Sequence, residues 1–391
     1  MAYKENDVIA QVDGKIDIIH DLYEHYSKSF RKAVNSVMSD EYEELTDRFR
    51  LNVSRFAAYK AYTVTKKLNA IYTDSNISDN KGATKQALKI FNKWQHTEYN
   101  TAVARARTAK QFTEFMQPER VQMFPNLRWL PSRSADPRVS HTVFYNRVWA
   151  KNDPFWNNNA PGTEWNCKCD LEEVAGEPTD NSDVKTPPPI RGLEGRPDET
   201  KQIFTDNASY IRNAGNKAID SVAKCYYKDT KSKLQINVLA QTKEFEDNIK
   251  LGRILAKNKN VKSVAMRPHF ADQTVVSIPN PEFQINGLIA DAKRIKSWNV
   301  AASFRSAIGQ NSKIVVIDLA KLEEYKLQAN LLAIRISNRH VDFTTGVIDS
   351  CYVAWKGKSV KIDSSVLSGY TLDTKVRYIR RIEKLLDELV K

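Results

Sequence analysis

No stretch of this sequence approaches ~18 consecutive apolar residues, so no membrane-spanning helix is expected. Cysteine is scarce: Cys167, Cys169, Cys225 and Cys351 are the four in 391 residues. That density excludes a disulfide scaffold and suits the reducing cytoplasm of a cell. The opening run MAYKENDVIAQVDGK has no apolar region behind its positive charges, so classical secretion is not expected. Apolar side chains, by contrast, are plentiful. With 41% hydrophobic and 10% aromatic residues the chain can bury real cores. Its length exceeds one typical core and implies two or three domains. Sixty Lys and Arg against 47 Asp and Glu give a net +13, which favours an acidic partner, nucleic acid being the commonest. Many basic proteins never touch nucleic acid, so charge alone does not decide the partner.

Residues 1–125 have one proline, Pro118, before Pro125 and few glycines, and read as helical. Leu45, Phe49, Val53 and Phe56 recur at helical spacing, with Glu43, Asp47, Arg48 and Lys60 for the wet side. The run from Lys85 to Met116 has no helix breaker and carries Arg105, Arg107 and Lys110, predicting a helical domain with a basic surface. From Phe124 the texture becomes aromatic, Pro-rich and Asn-rich. Four of the seven tryptophans (Trp129, Trp149, Trp156, Trp165) lie within it, predicting a loop-rich module pinned by large aromatics. Residues 176–200 hold five prolines and three glycines, with Pro187-Pro188-Pro189 as a stiff spacer. A short helical piece follows at 200–230.

The remainder alternates differently. Val275–Ile278 and Lys313–Ile317 are strand-like, and Asn286-Gly287 between two apolar runs predicts a hairpin. Trp298–Ile308 reads as a helix with Ala301, Ala302, Phe304 and Ile308 inward, and Ile379, Ile382, Leu386 and Leu389 line a final helix. The expected architecture is multidomain: a mainly α domain (1–125), a loop-rich Trp/His/C-x-C module (126–175), a Pro-rich linker with a short helix (176–235) and a small α+β domain (236–391).

His141, Cys167 and Cys169 offer three borderline or soft ligands, with Asp136, Asp153 or Asp170 as a fourth, a set that would suit zinc. A second reading stands beside it: His141 bonds the loop backbone while the cysteines pack as small apolar groups. Catalysis by a Cys167 thiolate next to His141 lacks an oxyanion hole or orienting partner in the segment. The order of elements here is Trp129, Asp136-Pro-Arg138, His141, Asp153-Pro-Phe-Trp156, Pro161 and Trp165-Asn-Cys-Lys-Cys169. It resembles the head-morphogenesis (minor head) proteins of tailed bacteriophages related to the Mu F protein. The Thr101–Arg107 helix and the Ile203-Phe-Thr205 stretch are similar to that family's flanking segments, so the likeness spans about 40–215. The resemblance implies a virion protein made in the host cytoplasm and kept in the capsid interior. Its partners would be the portal and the capsid or scaffold proteins.

In the second half, Pro281-Glu282, the hairpin and Asp291-Ala-Lys293 form P-E-x8-D-x-K. This resembles the PD-(D/E)xK nuclease pattern, which implies that Glu282 and Asp291 hold Mg²⁺ while Lys293 stabilises the attacked phosphate. The same run, with a helix at 298–309 and the Val315–Leu319 strand after it, is also similar to toxin domains of contact-dependent inhibition systems. Many of those are metal-independent RNases. That likeness would place catalysis on Lys293, Arg267, His269, Arg305 and Gln310, although Glu282 stands where aspartate is more usual. Lys293, Arg294, Lys296, Arg305 and Lys313 would contact phosphates of DNA or tRNA. Three functions follow: a minor head protein with an appended nuclease, a purely structural head protein whose second half binds DNA or portal, or a host-encoded toxin with an immunity protein as partner.

Overall fold

The computed structural model describes residues 18–74, 76–270, 279–371 and 373–391. They form two compact units, divided between Cys225 and Tyr226. The expected Val275–Ile278 strand lies outside the described residues.

The first unit is built on three helices, α1 (Ile19–Asn35), α2 (Glu43–Thr73) and α3 (Asn80–Phe115). The Asp79 side chain caps α3 by accepting from the Gly82 amide at 2.8 Å. Leu45, Phe49, Val53 and Phe56 are buried as their spacing predicts. The wet face assigned to α2 is wrong at two positions, because Asp47 and Lys60 are also buried. Packing on several sides leaves α2 little solvent face. Lys60 is sealed with Glu98 of α3, and its ammonium stands 4.8 Å from the Tyr26 ring centroid. Arg105, expected on a basic surface, is fully buried. Its guanidinium donates to the carbonyls of Leu193 (2.8 Å) and Gly195 (3.1 Å), so it holds a loop together instead of facing water.

A three-stranded antiparallel sheet follows, β1 (Asn126–Leu130) flanked by β2 (Val148–Ala150) and β3 (Asp170–Val174). Beyond the Pro-rich stretch the chain returns to the helices. Phe204 stacks on Phe56 at 4.0 Å, and α4 (Ser209–Ala214) places Tyr210 edge-on to Phe56 at 5.3 Å. Residues 203–222 therefore contribute core to the helical unit. That unit is close to neutral: residues 1–225 carry 32 Lys and Arg against 30 Asp and Glu, a net +2. Residues 226–391 carry 28 against 17, a net +11. The excess of positive charge therefore belongs to the second unit.

The second unit is mixed α/β. Its single eight-stranded sheet has the order β11-β10-β9-β8-β7-β6-β5-β4. In chain order the elements are β4 (Tyr226–Lys228), β5 (Gln235–Asn237), α5 (Phe245–Lys257), β6 (Val264–Met266), β7 (Phe283–Ile285) and β8 (Leu288–Arg294). Then come α6 (Ala301–Gly309), β9 (Ile314–Asp318), α7 (Ala329–Ser337), β10 (Ser350–Trp355), β11 (Lys358–Asp363) and α8 (Lys375–Leu386). Strands β8, β9 and β10 are parallel and joined by helical crossovers, so helices and strands alternate instead of segregating as α+β implies. All five residues of β9 are buried, as a central parallel strand requires. The predicted hairpin is β7–β8. Asn286 and Gly287 both take positive φ (49° and 86°), the pairing that a two-residue turn matched to strand twist demands. Helix α6 points Phe304 and Ala307 inward; Ala302, expected inside, is exposed, and Ala301 and Ile308 are half-buried. Ile382, Leu386 and Leu389 are buried with Tyr378 in the core below α8.

Candidate metal centre and candidate carboxylate site

The Trp-rich segment folds around one aromatic cluster. Trp129 stacks on Trp156 at 6.3 Å, and Trp149 stacks on Phe155 at 3.9 Å. Cys167 and Cys169 belong to this cluster as buried residues. One face of α3 fixes the loop that carries them. Thr101 Oγ1 accepts from the Asn166 amide (2.8 Å), Asn100 donates to the Asn166 side chain (2.9 Å), and Thr108 donates to the Pro161 carbonyl (2.8 Å). Asn166 itself takes a positive φ of 59°. This turns the chain so that the two cysteines follow it into the core.

His141 sits on a single helical turn, Val139–Thr142, and is buried. Its Nδ1 lies 3.7 Å from Cys167 Sγ and 3.5 Å from Cys169 Sγ. A tetrahedral zinc with ordinary Zn–S and Zn–N bonds holds such atoms about 3.5 Å apart, so the residues present fit that ion. The fit extends to the other ring nitrogen: Nε2 faces Glu164 Oε1 at 3.4 Å. A carboxylate behind a ligating histidine fixes its tautomer and ring orientation. Ser140 donates to the same Glu164 oxygen (2.9 Å), and Arg138 lies 3.4 Å from the other. The Cys169 hydrogen bond holds the Cys167 thiol well below its usual range, with burial opposing and His141 assisting. Cys169 is pushed up by the same interaction and by burial. None of the four cysteines is in a disulfide. This buried group can hold a metal ion, and among the described residues it is the one cluster of three or more such ligands.

Of the three aspartates considered for a fourth ligand, two are engaged elsewhere. Asp170 accepts from Gln111 and Arg133, each at 2.8 Å, and Asp153 accepts from the Phe155 amide at 2.8 Å. Asp136 is exposed, in the cleft beside the three ligands.

In the second unit, register places Glu282, just before β7, across from Asp291 on β8. Lys293 Nζ lies 3.0 Å from Asp291 Oδ1 and 3.4 Å from Glu282 Oε1. The Ala292 amide donates to Glu282 Oε2 at 2.8 Å. Gln310, at the end of α6, donates to Asp291 Oδ1 at 2.8 Å. Asp291 is 1% exposed, and its Oδ2 and the Gln310 Oε1 are buried without a hydrogen-bond partner. Burial raises the Glu282 carboxyl to about 7, with Lys293 opposing and the Asp291 charge adding. Burial works against the Lys293 ammonium, yet Glu282 and then Asp291 overcome it and raise it. Arg267 borders the group, donating to the Pro281 carbonyl at 3.1 Å, and burial lowers its pKa.

The structure thus brings together Glu282, Asp291, Lys293 and Gln310 with Arg267 alongside. His269 and Arg305 show no side-chain hydrogen bond or ion pair to this group among the described residues; Arg305 is exposed on α6. Two expected phosphate contacts are occupied: Arg294 is paired with Asp247 and with Asp318 (2.7 Å to the latter), and Lys313 donates to the Gly346 carbonyl at 2.9 Å. Glu164 was not legible beforehand, because its role depends on which way the His141 ring faces.

No protein-family model, curated protein or solved structure gave a significant match to the chain. The assignment therefore rests on the two constellations: a helical unit carrying a buried His-Cys-Cys group, and a basic mixed α/β unit carrying a Glu-Asp-Lys group.

Proposed function

We propose that this chain is a minor head protein of a tailed bacteriophage, similar to Mu F, whose second unit is a divalent-metal-dependent nuclease. The observation that carries the nuclease reading is the meeting of Glu282, Asp291 and Lys293 in one group, with the second oxygen of the Asp291 carboxylate buried and unpartnered. A buried oxygen without a donor is costly unless something fills its valence. Two adjoining carboxylates with hard oxygen donors suit Mg²⁺, which would supply charge neutralisation at a scissile phosphate. Lys293 already stands against both carboxylates, so its ammonium is placed to meet the phosphate oxygens that such an ion draws in. The net +11 of residues 226–391 favours a polyanionic substrate.

The head-protein reading is supported by the way the family-like residues meet in three dimensions. Trp129, His141, Phe155, Trp156, Cys167 and Cys169 share one buried cluster, and the Thr101–Thr108 face of α3 clamps the loop that closes it. Zinc held by His141, Cys167 and Cys169 would pin a module with little regular structure. The portal, the capsid and scaffold proteins, and a place in the capsid interior follow from the same likeness.

The test uses the full chain incubated with tRNA or duplex DNA, in Mg²⁺ or in EDTA. Cleavage that disappears in EDTA and in Asp291→Ala supports the two-carboxylate mechanism. Cleavage that survives EDTA and is lost in Lys293→Ala points to a metal-independent RNase. Folded protein that cuts neither substrate in either condition overturns the nuclease reading. Mass spectrometry of purified particles, with the chain absent from them, would overturn the head-protein reading.

A further inference from the structure

The three donor atoms lie within 4.8 Å of one another, and the residues that carry them line a cleft of about 470 Å³. Ser132, Ser134, Asp136, Arg138 and Lys168 line this cleft together with all three ligand residues. We propose that the metal centre keeps its fourth coordination position open to the cleft, where it takes water or a small oxyanion instead of a fourth side chain. This rests on the zinc reading of His141, Cys167 and Cys169.

The nearby acidic side chains do not close the sphere. Asp170 is consumed by Gln111, Arg133 and the Leu171 amide. Asp153 caps its own turn through the Phe155 amide. Glu164 faces Nε2, the side of the imidazole turned away from both sulfurs. Asp136 is exposed on the cleft wall and stands outside the convergent group. Structural zinc sites are closed by four protein ligands, whereas three ligands and an accessible position are the arrangement of sites that bind exogenous groups. Two thiolates and a neutral imidazole cancel the charge of the ion, so the centre itself does not repel an anion. At the wall stand Asp136, Arg138 and Lys168; Arg138 is paired with Glu164, so Lys168 is the cation positioned to meet an incoming oxyanion.

The experiment replaces zinc with Co²⁺ in the full chain and follows its visible absorption as sodium azide is added. Expected are one cobalt per chain, a saturable shift of the visible bands with azide, and reversal by excess acetate. Asp136→Asn should respond as the wild type does. Bands indifferent to azide would overturn the open position. So would a response that appears only in Asp136→Asn, since Asp136 would then be the closing ligand. Substoichiometric cobalt and zinc in folded wild-type protein would overturn the metal reading itself, a failure distinct from a bound but unresponsive metal.

Discussion

Lys293 Nζ stands 3.0 Å from Asp291 Oδ1, yet the other oxygen of that carboxylate is buried with no donor in reach. One oxygen is neutralised and hydrogen-bonded by Lys293 and Gln310; the other has neither a hydrogen bond nor an ion pair. A stability-driven core would replace such a carboxylate with an apolar group or satisfy both oxygens. Holding it half-satisfied makes sense where a cation completes the shell.

Lys293→Met should leave the fold assembled and reduce the rate of phosphodiester cleavage by about 10²–10³-fold, the usual loss on removing one preorganised charge stabiliser. Gel assays at saturating Mg²⁺ measure it. An undiminished rate would remove Lys293 from the chemistry and leave it as a partner for two carboxylates.

The Glu282 carboxyl, raised by burial from 4.5 to about 7, predicts an unusual stability profile for the metal-free protein. The native state holds this proton more tightly than the unfolded chain does. The contribution is therefore fully present below about pH 4.5 and is lost as pH rises through about 7. The shift corresponds to at most about 3–4 kcal/mol. Glu282→Gln should abolish this component, making the variant more stable than wild type in urea at pH 8 and similar at pH 5, while cleavage is lost. A variant less stable than wild type at pH 8 would contradict the assignment.

The second carboxylate of interest acts through a histidine. Glu164→Gln removes the charge facing His141 Nε2 at 3.4 Å and should weaken zinc binding about 10–100-fold. Cys167→Ser, which removes a ligand, should abolish it. Chelator competition reads the first and metal analysis the second. Equal affinity in wild type and Glu164→Gln would mean that Glu164 serves only Ser140 and Arg138.

The parts of this architecture that were legible in the sequence are those whose cause is local. Asn286-Gly287 dictates a hairpin because both residues adopt positive φ. Glu282 and Asp291 then face each other because the two-residue turn fixes the register. His141, Cys167 and Cys169 could be grouped because they lie within one short loop-rich segment. Lys60 and Arg105 were misplaced for the opposite reason. Helical spacing identifies an apolar stripe, but it cannot say that a second set of helices covers the polar side as well. Lys60 meets Glu98, and Arg105 meets carbonyls near residue 194, only through tertiary packing. The expectation of segregated helices and strands failed similarly, since β8, β9 and β10 become parallel neighbours only through their crossovers.

The Lys60–Glu98 pair yields the sharpest stability prediction. Both side chains are sealed, Lys60 also reaching the Phe91 carbonyl at 3.4 Å. Burial lowers the lysine pKa and raises that of the glutamate, with each partner's charge opposing the shift. Removing one member strands the other, so Glu98→Leu alone, or Lys60→Met alone, should cost about 3–5 kcal/mol. Lys60→Met with Glu98→Leu replaces both charges by apolar groups of similar bulk and should recover most or all of that loss. Urea unfolding of the wild type, both single variants and the pair closes the cycle. Additive losses in the double variant would show that the two charges do not depend on each other, and that the helical core tolerates each alone.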